Sequence, residues 1–161
     1  MLVGVPKEIK DSEYRVGLVP STVHELTLKG HRVLVEKDAG AGAGLPDGDY
    51  VTAGAKIADS ADRLFAEAEM IVKVKEPLAV ERKKLKPGQI LFTYLHLAPD
   101  RAQTEDLMAS GCVAIAYETV TSSQGGLPLL TPMSEVAGRI GAGHAAAEHH
   151  DVGGGNAGNA A

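Results

Sequence analysis

The chain has 161 residues and a formal net charge of −5, long enough for one ordinary domain with a buried core. Its 44% hydrophobic content is a normal globular value, while two phenylalanines, no tryptophan and scattered basic residues argue against a nucleic-acid surface. Cys112 is the sole cysteine, which excludes an internal disulfide and fits a reducing compartment. The N-terminus, Met1 to Glu8, has no basic leader and no long apolar run, so a cytoplasmic protein without a membrane span is expected.

Short apolar runs alternate with helix-like stretches. Leu2–Val5, Arg32–Val35, Met70–Val74, Ile90–Tyr94 and Val113–Tyr117 read as strands, and their continuous hydrophobicity suits a parallel sheet covered on both faces. Between them, Ser21–Lys29, Ser60–Ala68, Val80–Leu85 and Asp100–Ala109 read as helices. Ser21 is the expected N-cap of the first and Gly30 its stop; Asp100 opens the last and Gly111 lies beyond its end. The order predicts an α/β fold, an open and mostly parallel sheet with helices on both faces, flavodoxin-like or Rossmann-like in layering.

The glycine–alanine run Ala39–Gly44 invites a phosphate-cradle reading. Its spacing is not G-x-G-x-x-G, and Pro46 disfavours a helical Leu45, so a tight loop before a short helix at Asp47–Ala53 is expected instead. Ser122–Pro128 reads as a turn built on Gly125 and Gly126. Thr131-Pro132 is a helix-start signature, with Thr131 at the cap and Pro132 at the first helical position.

Three nitrogen-bearing residues fall near strand ends. Arg15 follows Leu2–Val5, Lys75 closes the Met70–Val74 run, and His96 follows Ile90–Tyr94. In an open parallel sheet all carboxyl ends face one edge, where ligands bind, so these residues can meet. Arg offers a fork of donors matching a carboxylate, Lys a mobile ammonium and His a proton carrier near neutral pH. The set suggests a pocket for a small carboxylic acid with a reactive carbonyl or amine. Taken singly, each is more often an ordinary loop residue; a Lys75–Glu76 surface pair would contribute only ~0–1 kcal/mol. Tyr94 shares a strand face with His96 and reads as core packing, Cys112 as a buried small hydrophobe. Glu118 fits either a functional acid or a hydrogen-bonded structural carboxylate.

Five stretches in order carry a resemblance. Gly4-Val5-Pro6-Lys7-Glu8-Ile9-Lys10 through Arg15-Val16, Val72-Lys73-Val74-Lys75-Glu76-Pro77, Phe92 to Ala98, Ala116 to Val120 and Pro132 to Arg139 together resemble the N-terminal part of bacterial alanine dehydrogenases. The alpha subunit of proton-translocating transhydrogenase shares the G-x-P-K-E start, but its branch has no histidine matching His96 and a different run after its K-V. The resemblance implies an NAD-dependent, reversible oxidative deamination of L-alanine to pyruvate and ammonium. It implies His96 as general acid/base and Arg15 and Lys75 as substrate-binding groups. Met133 and Ser134 are implied as lining residues where the chain crosses to a nucleotide domain, with Ser134 on the cofactor side as well. A homo-oligomer is implied for the intact family. The alternatives are a transhydrogenase alpha-subunit piece and a non-catalytic carboxylate-binding module.

The expected organisation is a substrate-binding domain over 1–130, an interdomain helix over 131–150 and a vestigial glycine-rich fingerprint over 151–161. Gly153, Gly155 and Gly158 have G-x-G-x-x-G spacing, the spacing of a cofactor-binding loop, but no buried strand precedes them. The acidic ribose ligand expected about 20 residues on has no counterpart. The chain is therefore expected to bind no NAD by itself, to be inactive alone and to have a mobile tail. His144, Glu148, His149 and His150 lack a metal-site pattern and read as a frayed helix end, so no metal is expected.

Overall fold

The computed structural model describes residues 1–140. Residues Met1–Thr119 form one compact unit, and a second begins at Val120. In the first unit the chain alternates strand and helix. The strands are β1 (Leu2–Val5), β2 (Arg32–Glu36), β3 (Lys56–Ala58), β4 (Met70–Val72), β5 (Ile90–Thr93) and β6 (Val113–Ala116). The helices are α1 (Pro20–Leu28), α2 (Asp47–Thr52), α3 (Ala61–Glu67), α4 (Ala79–Arg82) and α5 (Arg101–Ser110). The sheet order is β3-β2-β1-β4-β5-β6, and every neighbouring pair is parallel. The strand order reverses direction between β1 and β4, the point at which a crevice opens at the carboxyl edge of such a sheet.

The two-residue period of the strands sorts their side chains into two cores. Val3, Val5, Val33 and Val35 pack with Val23 of α1 and Tyr50 of α2. Leu34, Ile71 and Leu91 pack on the opposite face with Leu64 and Phe65 of α3 and Leu107 of α5. Gly4 lets α3 lie directly on β1: a Cβ there would stand 2.8 Å from both the Ala68 Cβ and a Leu64 methyl. The α/β layering is thus as the sequence predicts, with helices on both faces.

Several local expectations need correction. The N-cap of α1 is Val19, not Ser21, with Pro20 in the first turn; a residue before proline is held extended, and proline suits the start of a helix. Strand β3 went unpredicted because it has three residues and one large apolar side chain, Ile57. Val74 and Tyr117 lie just past their strands, and the Val80–Leu85 stretch gives only one turn of helix, α4. β6 ends the sheet, so Val113 and Ile115 are exposed rather than covered on both faces. Cys112 is half-buried against the second core. The expected starts of α3 at Ser60 and α5 at Asp100 hold. Ser60 caps α3 by accepting from the Arg63 amide at 3.3 Å, and Asp100 caps α5 by accepting from the Gln103 amide at 2.9 Å. Gly30 and Gly111 take positive φ beyond α1 and α5.

In the second unit, Gly125 and Gly126 take positive φ in a turn closed by the Gly125 amide on the Ser122 carbonyl. Residues 131–140 are helical. The Thr131 hydroxyl donates back to the Leu127 carbonyl, and the Met133 and Ser134 amides donate to the Leu130 carbonyl. The first turn therefore closes one residue earlier than a Thr131 cap would give. The expected continuation of this helix to 150, the histidines after residue 140 and Gly153, Gly155 and Gly158 lie outside the described residues.

Candidate functional site

Because all strands run parallel, the residues after β1, β4, β5 and β6 emerge at one edge. Arg15 lies in the β1–α1 connection, Lys75 in the β4–α4 connection, His96 in the β5–α5 connection, and Glu118 in the 3-10 turn Tyr117–Thr119 after β6. These four strands are consecutive neighbours. With about 5 Å between strands, the ends of β1, β4 and β5 span roughly 10 Å, a distance arginine and lysine side chains bridge easily. Met133 and Ser134 belong to the second unit, on the 131–140 helix.

The loop carrying Arg15 is fixed by close approaches. A Cβ on Gly17 would stand 2.5 Å from the Val72 carbonyl oxygen, so only glycine lets this loop cross the end of β4. A Cβ on Gly42 would meet Tyr14 at 3.1–3.2 Å, which gives the glycine–alanine run a packing role. Ala41–Ala43 forms a 3-10 turn ahead of the short α2, the tight loop its sequence predicts. The buried Tyr50 donates its hydroxyl to the Leu18 carbonyl at 2.9 Å. Arg15 itself reaches Glu13 through Nε at 2.8 Å and Nη2 at 2.5 Å, and the Arg15 amide adds a bond to the same carboxylate at 2.9 Å. These Arg15 donors, opposed by partial burial and helped by the Lys75 charge, hold the Glu13 carboxyl down to about 2. Glu13 thus sits where two cations converge. A cleft of about 260 Å³ opens beside Arg15, Glu13, Tyr14 and Asp38.

The Lys75 backbone is held from both sides. Glu8 Oε1 accepts the amides of Val74 at 2.7 Å and Lys75 at 3.3 Å, and the Thr93 hydroxyl donates to the Lys75 carbonyl at 2.9 Å. Beneath this turn lies Lys73, whose side chain is fully buried. Its Nζ stands 2.6 Å from Glu81 Oε1 and 3.2 Å from Glu8 Oε2. Glu81 Oε2 accepts the Leu78 amide at 2.8 Å, tying the first turn of α4 to the same cluster. The K-V-K alternation is therefore a division of labour: Lys73 points into the protein and anchors the turn, while Lys75 stands at its half-buried rim. Glu76 pairs with Lys10, and its second carboxylate oxygen is buried without a partner.

His96 is exposed and has φ +48, a left-handed conformation that costs a non-glycine residue roughly 1–2 kcal/mol. Glu118 Oε1 accepts the His96 amide at 2.7 Å and the Leu95 amide at 3.0 Å. Burial works to raise the Glu118 carboxyl, but these amide donors outweigh it and the group titrates below the usual carboxylate range. The imidazole stacks on Tyr94 with ring centres 6.0 Å apart, and Tyr94 meets Tyr117 edge-on at 5.0 Å. Tyr94 is half-buried, and burial, helped by the Glu118 charge, raises its phenol against the lowering effect of the Arg15 charge. It is a wall of the site between Arg15 and His96, not the core residue expected. Burial pushes the Tyr117 phenol well up.

Sequence reasoning missed Glu8, Glu13, Lys73 and Tyr94 as parts of this arrangement. The available signal was charge beside apolar runs: Lys73 stands between Val72 and Val74 just past β4, and Glu8 lies in the segment that follows β1. Among the described residues there is no cluster of three potential metal ligands, and no helix is long and apolar enough to cross a membrane. A nucleotide fits the described residues poorly. The β1–α1 connection holds one glycine, Gly17, which is pressed against Val72 and leaves no phosphate cradle.

Comparison with known proteins adds an independent line. The model of the family described as alanine dehydrogenase/PNT, N-terminal domain, matches residues 4–137. An alanine dehydrogenase of Mycolicibacterium smegmatis is 53% identical over 142 residues, covering 88% of this chain and 38% of that protein. A solved L-alanine dehydrogenase is similar with a TM-score of 0.83 at 56% identity, over 87% of this chain and 38% of that one. A transhydrogenase from Sinorhizobium meliloti gives 0.69 at 27% identity, over 73% of this chain and 35% of that one. The chain thus spans well under half the length of the relatives it matches.

Proposed function

The chain belongs to the alanine dehydrogenase/PNT N-terminal domain family, and from that premise we propose that it is the substrate-holding part of an NAD-dependent alanine dehydrogenase, interconverting L-alanine with pyruvate and ammonium. One observation carries this reading: Arg15, Lys75 and His96 leave three adjacent strands at the edge where the strand order reverses. Arg15 binds the substrate carboxylate, taking over part of the role Glu13 fills in the free protein. Lys75 polarises the carbonyl oxygen of the keto acid with its ammonium. His96 gives and takes the protons that must move at the substrate's oxygen and nitrogen, worth roughly 10²–10⁴-fold in rate. NAD would supply hydride chemistry from a site outside the described residues, reached past Met133 and Ser134; cytoplasmic location and homo-oligomer assembly belong to the same proposal.

Titrating pyruvate into the chain and its R15A and H96A variants tests this. Binding should weaken roughly 10- to 100-fold in R15A, the loss of about 1.5–3 kcal/mol expected for bonds to a charged group. H96A should retain most of it. Equal affinity in the parent and R15A, or no interaction with the parent at all, would sink the reading. A transhydrogenase-like module would show the latter.

A further inference from the structure

We propose that Glu118 is the positioning residue for His96: its carboxylate clasps the Leu95 and His96 amides and thereby fixes the left-handed turn that lays the imidazole against Tyr94. This rests on the reading of His96 as the acid/base group, and it adds a residue from the turn after β6 to a site otherwise built on the connections after β1, β4 and β5. Three independent features converge. The backbone at His96 is in a conformation that non-glycine residues rarely adopt, so something must hold it. The two amides that define this turn both donate to one carboxylate 23 and 22 positions away in sequence. The carbonyl on the other side, that of Leu95, accepts from the buried Gln103 of α5 at 2.5 Å.

The Gln103 contact shows what the arrangement is for. Its amide nitrogen serves the Leu95 carbonyl while its own oxygen stays buried without a partner. Natural folds rarely leave such an acceptor unmet. Here the unmet acceptor accompanies a peptide gripped from above and below. Glu118 is in turn set by its 3-10 turn, where the Thr119 hydroxyl donates to the Ala116 carbonyl at 2.9 Å. The carboxylate therefore acts through His96 and need not touch substrate. Fixing the backbone fixes the ring, because the Tyr94 stack leaves the imidazole one broad face to present.

The test uses isotope-labelled full chain and nuclear magnetic resonance, with E118A and E118D. Glu118→Asp keeps the charge but shortens the reach by one methylene. In E118A the His96 and Leu95 amides should exchange with solvent at least tenfold faster, and the ring-current shift that Tyr94 imposes on the His96 ring protons should vanish. E118D should show the same changes to a smaller degree, and it carries the test should E118A fail to fold. Amide protons on the core strands β1 and β4 should stay protected in both. Unchanged His96 signals in the folded variants would overturn the proposal, as would weakened pyruvate binding without any movement of those signals. If instead pyruvate never perturbs His96 in the parent while E118A still displaces the ring, the positioning role stands and the acid/base reading falls.

Discussion

The buried lysine offers the sharpest test of how this edge is built. Lys73→Met removes the cation that Glu8 and Glu81 share, at 3.2 and 2.6 Å, from a position with no solvent access. Removing one partner of a buried ionic cluster costs about 3–5 kcal/mol, because the remaining charge is left without compensation. Methionine fills a similar volume, so cavity formation adds little. Replacing a whole buried cluster with apolar residues is often neutral elsewhere. It should not be so here, since the second oxygen of Glu8 holds the Val74 and Lys75 amides and that of Glu81 holds the Leu78 amide. An apolar triple replacement would orphan those donors at about 1–3 kcal/mol each where they stay buried. Urea unfolding at pH 7 measures this, with the midpoint falling and the slope unchanged. A deficit below about 1 kcal/mol would refute the claim that this cluster anchors the turn.

Other expectations follow from the same geometry. Gly17→Ala drives a methyl into the Val72 carbonyl oxygen, so it should destabilise the chain by about 1–3 kcal/mol and weaken pyruvate binding as the Arg15 loop lifts from β4; full stability in urea would contradict this. Glu13 has its folded value near 2, below the ordinary 4.5, so its contribution is complete above about pH 4.5 and is lost as pH falls towards 2. The stability gap between the parent and E13Q should narrow over that window, and a constant gap would count against the Arg15 pairing. Asp100→Ala removes the cap of α5 and should cost about 1 kcal/mol by thermal or urea unfolding, with Asp100→Asn recovering most of it.

The layers of the fold were legible because apolar runs and caps are local signals. Val3, Val33 and Ile71 mark strands whatever surrounds them, and Asp100 announces α5 before any contact is known. That Arg15, Lys75 and His96 follow strands ending at one edge was legible for a different reason: parallel strands with right-handed crossovers leave one arrangement of carboxyl ends. What the sequence hid was pairing at long range. Nothing local to Lys73 says that it is buried between Glu8 and Glu81, 65 positions before it and 8 after. Glu118 could not be told from a plain structural acid, because its partners are backbone amides, which carry no sequence signature. Tyr94 was misassigned because strand alternation fixes its face only while the strand lasts, and β5 ends at Thr93.

The strand order of this sheet is the one that elsewhere cradles dinucleotides, so topology alone does not choose the ligand. The choice is made in the β1–α1 connection. A nucleotide site needs glycines that bring bare amides and a helix N-terminus up to a diphosphate. Here Glu8 takes up the Val74 and Lys75 amides, Glu13 places another negative group beside Arg15, and α1 starts with Pro20, which has no amide to offer. A diphosphate would meet two carboxylates on this side of the crevice. On the proposed reading, a single small carboxylate would meet Arg15 with its charge already half-satisfied by Glu13, so binding would be an exchange of one carboxylate for another. Such an exchange favours ligands that also engage Lys75, because a carboxylate with no neighbouring carbonyl gains little over the Glu13 it competes with.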